Sequence, residues 1–216
     1  AMLEFMDRSA IALLRCNGTD VPDAGAMLLV EADGDEDTLP LALQALADAA
    51  GGEGLLSLDV AMDGAARDRL WAARRALSPA LRSIAPGKIN EDVVVPVSRI
   101  PDLVAAVEAL SAEHALPIVA FGHAGNGNLH VNIMYHPDDA DENARAHAAL
   151  PEIFELTLVI ALGGTLSGEH GIGVAKRDWM DRAFDAATLA AMRAVKAALD
   201  PDGILNPGKV LPPPRG

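Results

Sequence analysis

A single cysteine, Cys16, excludes an internal disulfide and fits a reducing compartment. Its reading is a small buried hydrophobe. Aromatic residues make up 3% of the chain, and 17 Lys and Arg face 31 Asp and Glu for a formal net charge of -14. That balance excludes a nucleic-acid partner, which needs a basic footprint and usually aromatic stacking platforms. The acidity is spread along the chain and reads as solvated surface. No apolar run reaches the ~20 residues that span a bilayer, and no charged-then-apolar leader opens the sequence. A soluble, cytoplasmic protein is expected. There is no Walker sequence, and Gly168-x-x-Gly171-x-Gly173 is not the G-x-G-x-x-G fingerprint, so nucleotide binding by this chain is excluded as well.

What is present is apolar residue: half of 216, enough to bury one globular core, or two small halves sharing a sheet. Residues 2–6 read as a strand leading into an apolar helix up to Cys16, and residues 26–31 as a second strand. Leu39, Leu43 and Leu46 recur at helical spacing within a helix over 38–50, and residues 55–60 read as a further strand. Asp63 can cap a helix over 64–84. A strand over 88–97, a helix ending near Glu113, two strands around a glycine turn and a helix over 141–162 follow. The last helix, 186–199, stops at Asp200-Pro201-Asp202-Gly203. This order predicts an α+β fold: two ferredoxin-like halves, 1–85 and 86–185, forming an antiparallel sheet covered by helices on one face, with a C-terminal helical segment and tail over 186–216.

The glycine turn carries the chemistry. In Gly122-His123-Ala124-Gly125-Asn126-Gly127-Asn128-Leu129-His130-Val131-Asn132 a histidine stands at each end, and strand alternation lets both imidazoles face one side with Asn132. Gly125 and Gly127 free the backbone for positive φ and close approach. Downstream, Ser167-Gly168-Glu169-His170-Gly171 offers a carboxylate and a further imidazole, which diverge in extended chain. His123, His130 and Glu169 would make a three-ligand set for zinc or another divalent ion, with a position left for water or substrate. From spacing alone, satisfied polar groups at strand ends remain an equal alternative. His114, His136 and His147 are placed on helices or in a turn and expected as ligands of nothing, and Lys176 and Arg177 are expected to face solvent.

A second constellation lies on the helix over 64–84, where Trp71, Arg74 and Ser78 share a stripe and Lys88 opens the next strand. An arginine fork with a lysine suits an organic acid. Exposed arginines paired with neighbouring carboxylates are the other meaning, and spacing leaves both open.

Gly-His-x-Gly-x-Gly-Asn-Leu-His, then Gly163-Gly164-Thr165-Leu166-Ser167-Gly168-Glu169-His170-Gly171-Ile172-Gly173, then Leu199-Asp200-Pro201-x-Gly203-Ile204-Leu205-Asn206-Pro207-Gly208-Lys209, resembles the C-terminal domain of FAD-linked oxidases. This is the family of D-lactate dehydrogenases, glycolate oxidase flavin subunits and D-2-hydroxyglutarate dehydrogenases, and the resemblance covers essentially the whole chain. It implies oxidation of a D-2-hydroxy acid to the 2-oxo acid, with His123, His130 and Glu169 holding zinc or manganese and His170 as acid-base. Arg74, Ser78 and Lys88 match the substrate-carboxylate clamp, and Asn132 is placed to bind substrate or support a ligand. A tail beginning at Asn206 packs toward the flavin domain in such relatives, which makes Asn206 the expected FAD contact. Asn126 stands where relatives usually carry Asp, which removes a negative charge from the loop.

The resemblance also implies an N-terminal FAD-binding domain that these residues do not contain, so the chain is expected to be the substrate half of a longer protein and inactive alone. The electron acceptor is open among a quinone, a cytochrome and an electron-transfer protein, as is peripheral association of the full-length protein with the inner membrane. A metal-dependent hydrolase and a non-catalytic acid-binding module stay as alternatives.

Overall fold

The computed structural model describes residues 1–35, 37–157 and 162–213. Its centre is a five-stranded sheet in which every neighbouring pair is antiparallel, built from β1 (Met2–Asp7), β2 (Ala26–Glu31), β3 (Gly87–Val94), β4 (Ile118–His123) and β5 (Asn128–Tyr135) in the order β2-β1-β4-β5-β3. Among the described residues the helices are α1 (Arg8–Cys16), α2 (Leu39–Ala50), α3 (Gly64–Ala80), α4 (Ile100–His114), α5 (Ala140–Thr157), α6 (Met180–Ala183) and α7 (Ala186–Leu199). The α+β class, the antiparallel sheet and the C-terminal helix are as expected from sequence.

Alternation divides each strand between two cores. Phe5, Val93, Leu129, Val131 and Ile133 point to one face and pack on Leu103 and Val107 of α4 and Ala149 and Ile153 of α5. Met6, Val119, Phe121 and Met134 point to the other, under Leu14 of α1 and Leu77 of α3. Helices therefore cover both faces, where one was expected. The difference follows from α1 and α3, whose apolar residues need a sheet face of their own. A third cluster, Phe154, Leu166, Met180 and Leu189, ties α6 and α7 to α5.

Helix starts follow the capping rule, in which a side-chain oxygen takes a free first-turn N–H. Asp63 accepts from Ala66 and Asp185 from Thr188, each at 2.7 Å. Asp7 does this for α1 through Ala10 (2.7 Å) while its second oxygen accepts the Ala120 N–H (2.8 Å), so one buried carboxylate pins the β1–α1 junction to β4. Burial pushes that carboxyl up to about 6 despite the two donors.

Three expectations change. Residues 55–60 form no strand, and Leu55, Leu56, Leu58 and Val60 are exposed, because no edge of this sheet receives them. The first half thus supplies only β1 and β2, while the second is a complete β3-α4-β4-β5-α5 unit with β5 between β3 and β4. Cys16 is exposed, at the end of α1. Of the helix expected over 141–162, residues 158–161 lie outside the described residues, and Leu162 is a turn residue. Among the described residues no helix is long and apolar enough to cross a membrane.

Candidate metal and substrate site

The register of the central strands assembles one polar corner. His130 pairs with Phe121 on β4 and with Asp92 on β3, and Asn132 with Asn90. Period-two alternation places Glu4 of β1, Phe121 and His123 of β4, His130 and Asn132 of β5, and Asn90 and Asp92 of β3 on the face covered by α1 and α3. Between β4 and β5 the chain makes one 3-10 turn, Ala124–Asn126, and Gly127 at φ 79° brings it back. A Cβ on Gly127 would lie 1.9 Å from the Val95 carbonyl oxygen, so only glycine fits. Gly125 is exposed, not at positive φ, and merely in ordinary contact range of Leu3, so Gly127 alone carries the expected requirement. The Asn126 side-chain oxygen accepts the Asn128 N–H at 3.1 Å and serves the turn.

His123, His130 and Glu169 converge so that one ligand atom from each lies within 4.8 Å of the others. Nε2 of His130 is 3.2 Å and Nε2 of His123 is 3.7 Å from the Glu169 carboxylate. Burial lowers the His130 pKa, which keeps the imidazole neutral and its lone pair usable near pH 7. On the far side of His123, Nδ1 meets the buried Glu4 carboxylate at 2.5 Å. Two imidazoles, that of His123 backed by a buried carboxylate, and the Glu169 carboxylate are a donor set that fits zinc or manganese.

The loop carrying Glu169 and His170 is held from below. Thr165 and Val94 exchange both backbone hydrogen bonds, extending the sheet by one bridge. Asp92 Oδ2 then accepts three successive N–H groups, from Gly168 (2.8 Å), Glu169 (2.5 Å) and His170 (2.8 Å), and the Ser167 hydroxyl bonds the same carboxylate. The Lys176 ammonium pairs with Asp92 and, at 3.2 Å, with Glu91. Burial alone would raise the Asp92 pKa, but the backbone donors of Glu169 and His170 and the Lys176 charge outweigh it and hold the carboxyl far below its ordinary range. Burial raises that of Glu91, with Lys176 opposing. Lys176, expected in solvent, is 3% exposed: it is the counter-ion of a buried acid pair. His170 stacks on His130 with ring centres 5.1 Å apart, and its Nδ1 is 3.5 Å from Asp92.

Of the expected acid-binding residues, Arg74 reaches the corner. Its Nε–H donates to Glu4 at 2.6 Å and its guanidinium lies 4.9 Å from the Phe121 ring centre. Trp71, one turn earlier, donates to Glu31 of β2. Ser78, one turn further along α3, and Lys88, on the corner's face at the start of β3, are both exposed. Asn132 is fully buried, its amide donating to the Val119 and His130 carbonyls. Asn206 sits exposed in the tail at φ 47°. His114, expected as a ligand of nothing, bonds Glu152 at 2.9 Å, away from this corner.

The model of the C-terminal domain of FAD linked oxidases matches residues 1–210. The chain is 36% identical over 212 residues to the glycolate oxidase subunit GlcD of Bacillus subtilis, covering 97% of this chain and 45% of that protein. It is 37% identical over 190 residues to the Escherichia coli K12 subunit, covering 88% and 38%. With the D-2-hydroxyglutarate dehydrogenase of Stutzerimonas stutzeri it shares 39% over 146 residues, 65% and 30% of the two chains. A 4-ethylphenol oxidase from Gulosibacter chungangensis shares the fold, with a TM-score of 0.64 at 16% identity over 99% of this chain and 48% of its own. The chain thus spans less than half the length of these relatives, and with the family model matched over residues 1–210 it belongs to the family of the C-terminal domain of FAD linked oxidases.

Proposed function

We propose that this chain is the substrate- and metal-binding part of a flavin-dependent oxidoreductase that converts a D-2-hydroxy acid, of the lactate or glycolate type, to the 2-oxo acid. The observation that carries the reading is the convergence of His123, His130 and Glu169 within 4.8 Å beside His170 and Arg74. The relatives named as glycolate oxidase subunit and D-2-hydroxyglutarate dehydrogenase support the substrate class. Residues 1–216 form the substrate-binding domain, with the FAD-binding domain in another part of the same protein and Asn206 contributing from the tail.

In this reading Arg74 receives the substrate carboxylate, with Ser78 and Lys88 completing the clamp, and Asn132 supports His130. His123, His130 and Glu169 hold the divalent cation, which when bound lowers the pKa of the substrate hydroxyl. His170 accepts the hydroxyl proton, and the Asp92 carboxylate 3.5 Å from its Nδ1 stabilises the imidazolium that forms. The flavin supplies a two-electron acceptor for the hydride leaving C2. Loss of one proton and one hydride balances hydroxy acid against oxo acid.

The test uses the full-length, flavin-loaded protein mixed anaerobically with D-lactate, glycolate or D-2-hydroxyglutarate. One of these acids is expected to bleach the flavin absorbance, and His170→Ala to slow that bleaching about 10²–10⁴-fold with acid binding retained. Flavin left oxidised by all three acids, together with turnover of an activated ester, would replace this reading with a hydrolase.

A further inference from the structure

Glu4 is buried to 1% exposure on β1, and both of its oxygens are in use. Oε1 meets Nδ1 of His123 at 2.5 Å, and Oε2 accepts the Nε–H of Arg74 at 2.6 Å. One side chain thus touches the proposed metal ligand on β4 and the proposed acid-binding residue on α3. We propose that Glu4 is a shared positioning residue, a single carboxylate that fixes the His123 tautomer on one oxygen and aims the Arg74 guanidinium with the other. The inference rests on the functional reading above.

An ionised carboxylate only accepts hydrogen bonds, so each partner must bring the proton. His123 therefore carries hydrogen on Nδ1, which leaves Nε2, 3.7 Å from Glu169, as the nitrogen with the free lone pair. His130 provides the contrast. Its Nδ1 is buried with no partner among the described residues, and its ring is oriented by packing against Phe121 and His170. Arg74 is likewise fixed on two sides, by Glu4 at Nε and by the Phe121 ring at its planar face. Its terminal nitrogens make no hydrogen bond among the described residues, which leaves the outer edge of the fork for a ligand.

Glutamine at this position separates positioning from packing. It has the same shape, but its amide offers one accepting oxygen and one donating nitrogen, so it can satisfy His123 or Arg74 and not both. If the nitrogen turns to His123, the imidazole must move its hydrogen to Nε2 and lose the ligating lone pair. If it turns to Arg74, two donors oppose each other and the guanidinium is displaced.

The experiment is long-range ¹H–¹⁵N correlation of the imidazole and arginine Nε groups in the metal-free 216-residue chain at mildly alkaline pH, beside zinc titration. The wild type is expected to hold His123 as the Nδ1–H tautomer, with a protected Arg74 Nε–H. Glu4→Gln is expected to lose one of these two signals and to bind zinc about 10–100-fold more weakly. An Nε2–H tautomer of His123 in the wild type would overturn the proposal without any variant. So would Glu4→Gln with both signals and the zinc affinity unchanged. A wild type that binds no zinc, yet holds His123 as Nδ1–H beside a protected Arg74 Nε–H, would defeat the metal reading and leave the positioning role of Glu4 standing.

Discussion

Replacing Asp92 by asparagine is expected to lower the unfolding free energy by about 3–5 kcal/mol, the scale for breaking a buried, hydrogen-bonded charge pair. Asp92 is fully buried and collects the Gly168, Glu169 and His170 amides, the Ser167 hydroxyl and the Lys176 ammonium. An amide has a single accepting oxygen, so three backbone donors lose their charged acceptor, and Lys176 is left in the interior with Glu91 as its one charged partner among the described residues, beside the residue 92 carbonyl. The damage is directed, because these amides belong to the segment that presents Glu169 and His170. Because the Asp92 pKa is held below its ordinary value near 3.8, its contribution is in place above that pH and is lost as the pH falls through and below it. Chemical denaturation of wild type and variant at neutral pH measures the loss, with exposed Asp178→Asn as a control expected to change little. A loss under about 1 kcal/mol for Asp92→Asn would mean that the clasp contributes far less than a buried charge pair.

Gly127→Ala is expected to cost about 2–5 kcal/mol, the sum of a left-handed backbone penalty of about 1–2 and a small-to-large insertion penalty of about 1–3. The new methyl group would lie 1.9 Å from the Val95 carbonyl oxygen, a backbone atom that cannot rotate away. Relief requires the turn between His123 and His130 to part from the end of β3, breaking the hydrogen bond from the Val95 N–H to the Gly127 carbonyl. Divalent-metal affinity should therefore fall with stability. Gly125→Ala provides the comparison, since a Cβ there meets only Leu3 at 3.5 Å. Equal behaviour of the two variants would show that the turn is not set by Gly127.

The parts of this molecule legible in its sequence are those whose determinants are close together along the chain. The β4-turn-β5 segment reads from alternation and glycines within twenty residues, and α7 from a helical run bounded by Asp185 and Asp200. His123, His130 and Glu169 stand out because histidine and glutamate among glycines have few structural uses. Glu4 and Asp92 do not stand out, since each looks like an ordinary charged residue until the strand register is known. Glu4 meets His123 across 119 residues of sequence, and Asp92 meets the His170 amide across 78. Lys176 misleads for the same reason: a lysine among Arg177 and Asp178 reads as solvated, and its burial depends on two acids on β3. Residues 55–60 mislead differently, because apolar alternation identifies a segment able to form a strand without supplying the edge it pairs with.

The most direct test of the account is the zinc content and affinity of the purified 216-residue chain, measured beside His130→Ala and Glu169→Ala. Near-stoichiometric zinc in the wild type and affinity at least about 100-fold weaker in both variants are expected, beyond the 10–100-fold that loss of an outer partner costs. Equal zinc binding by all three proteins would contradict it, and would leave His123 and His130 as residues of a turn.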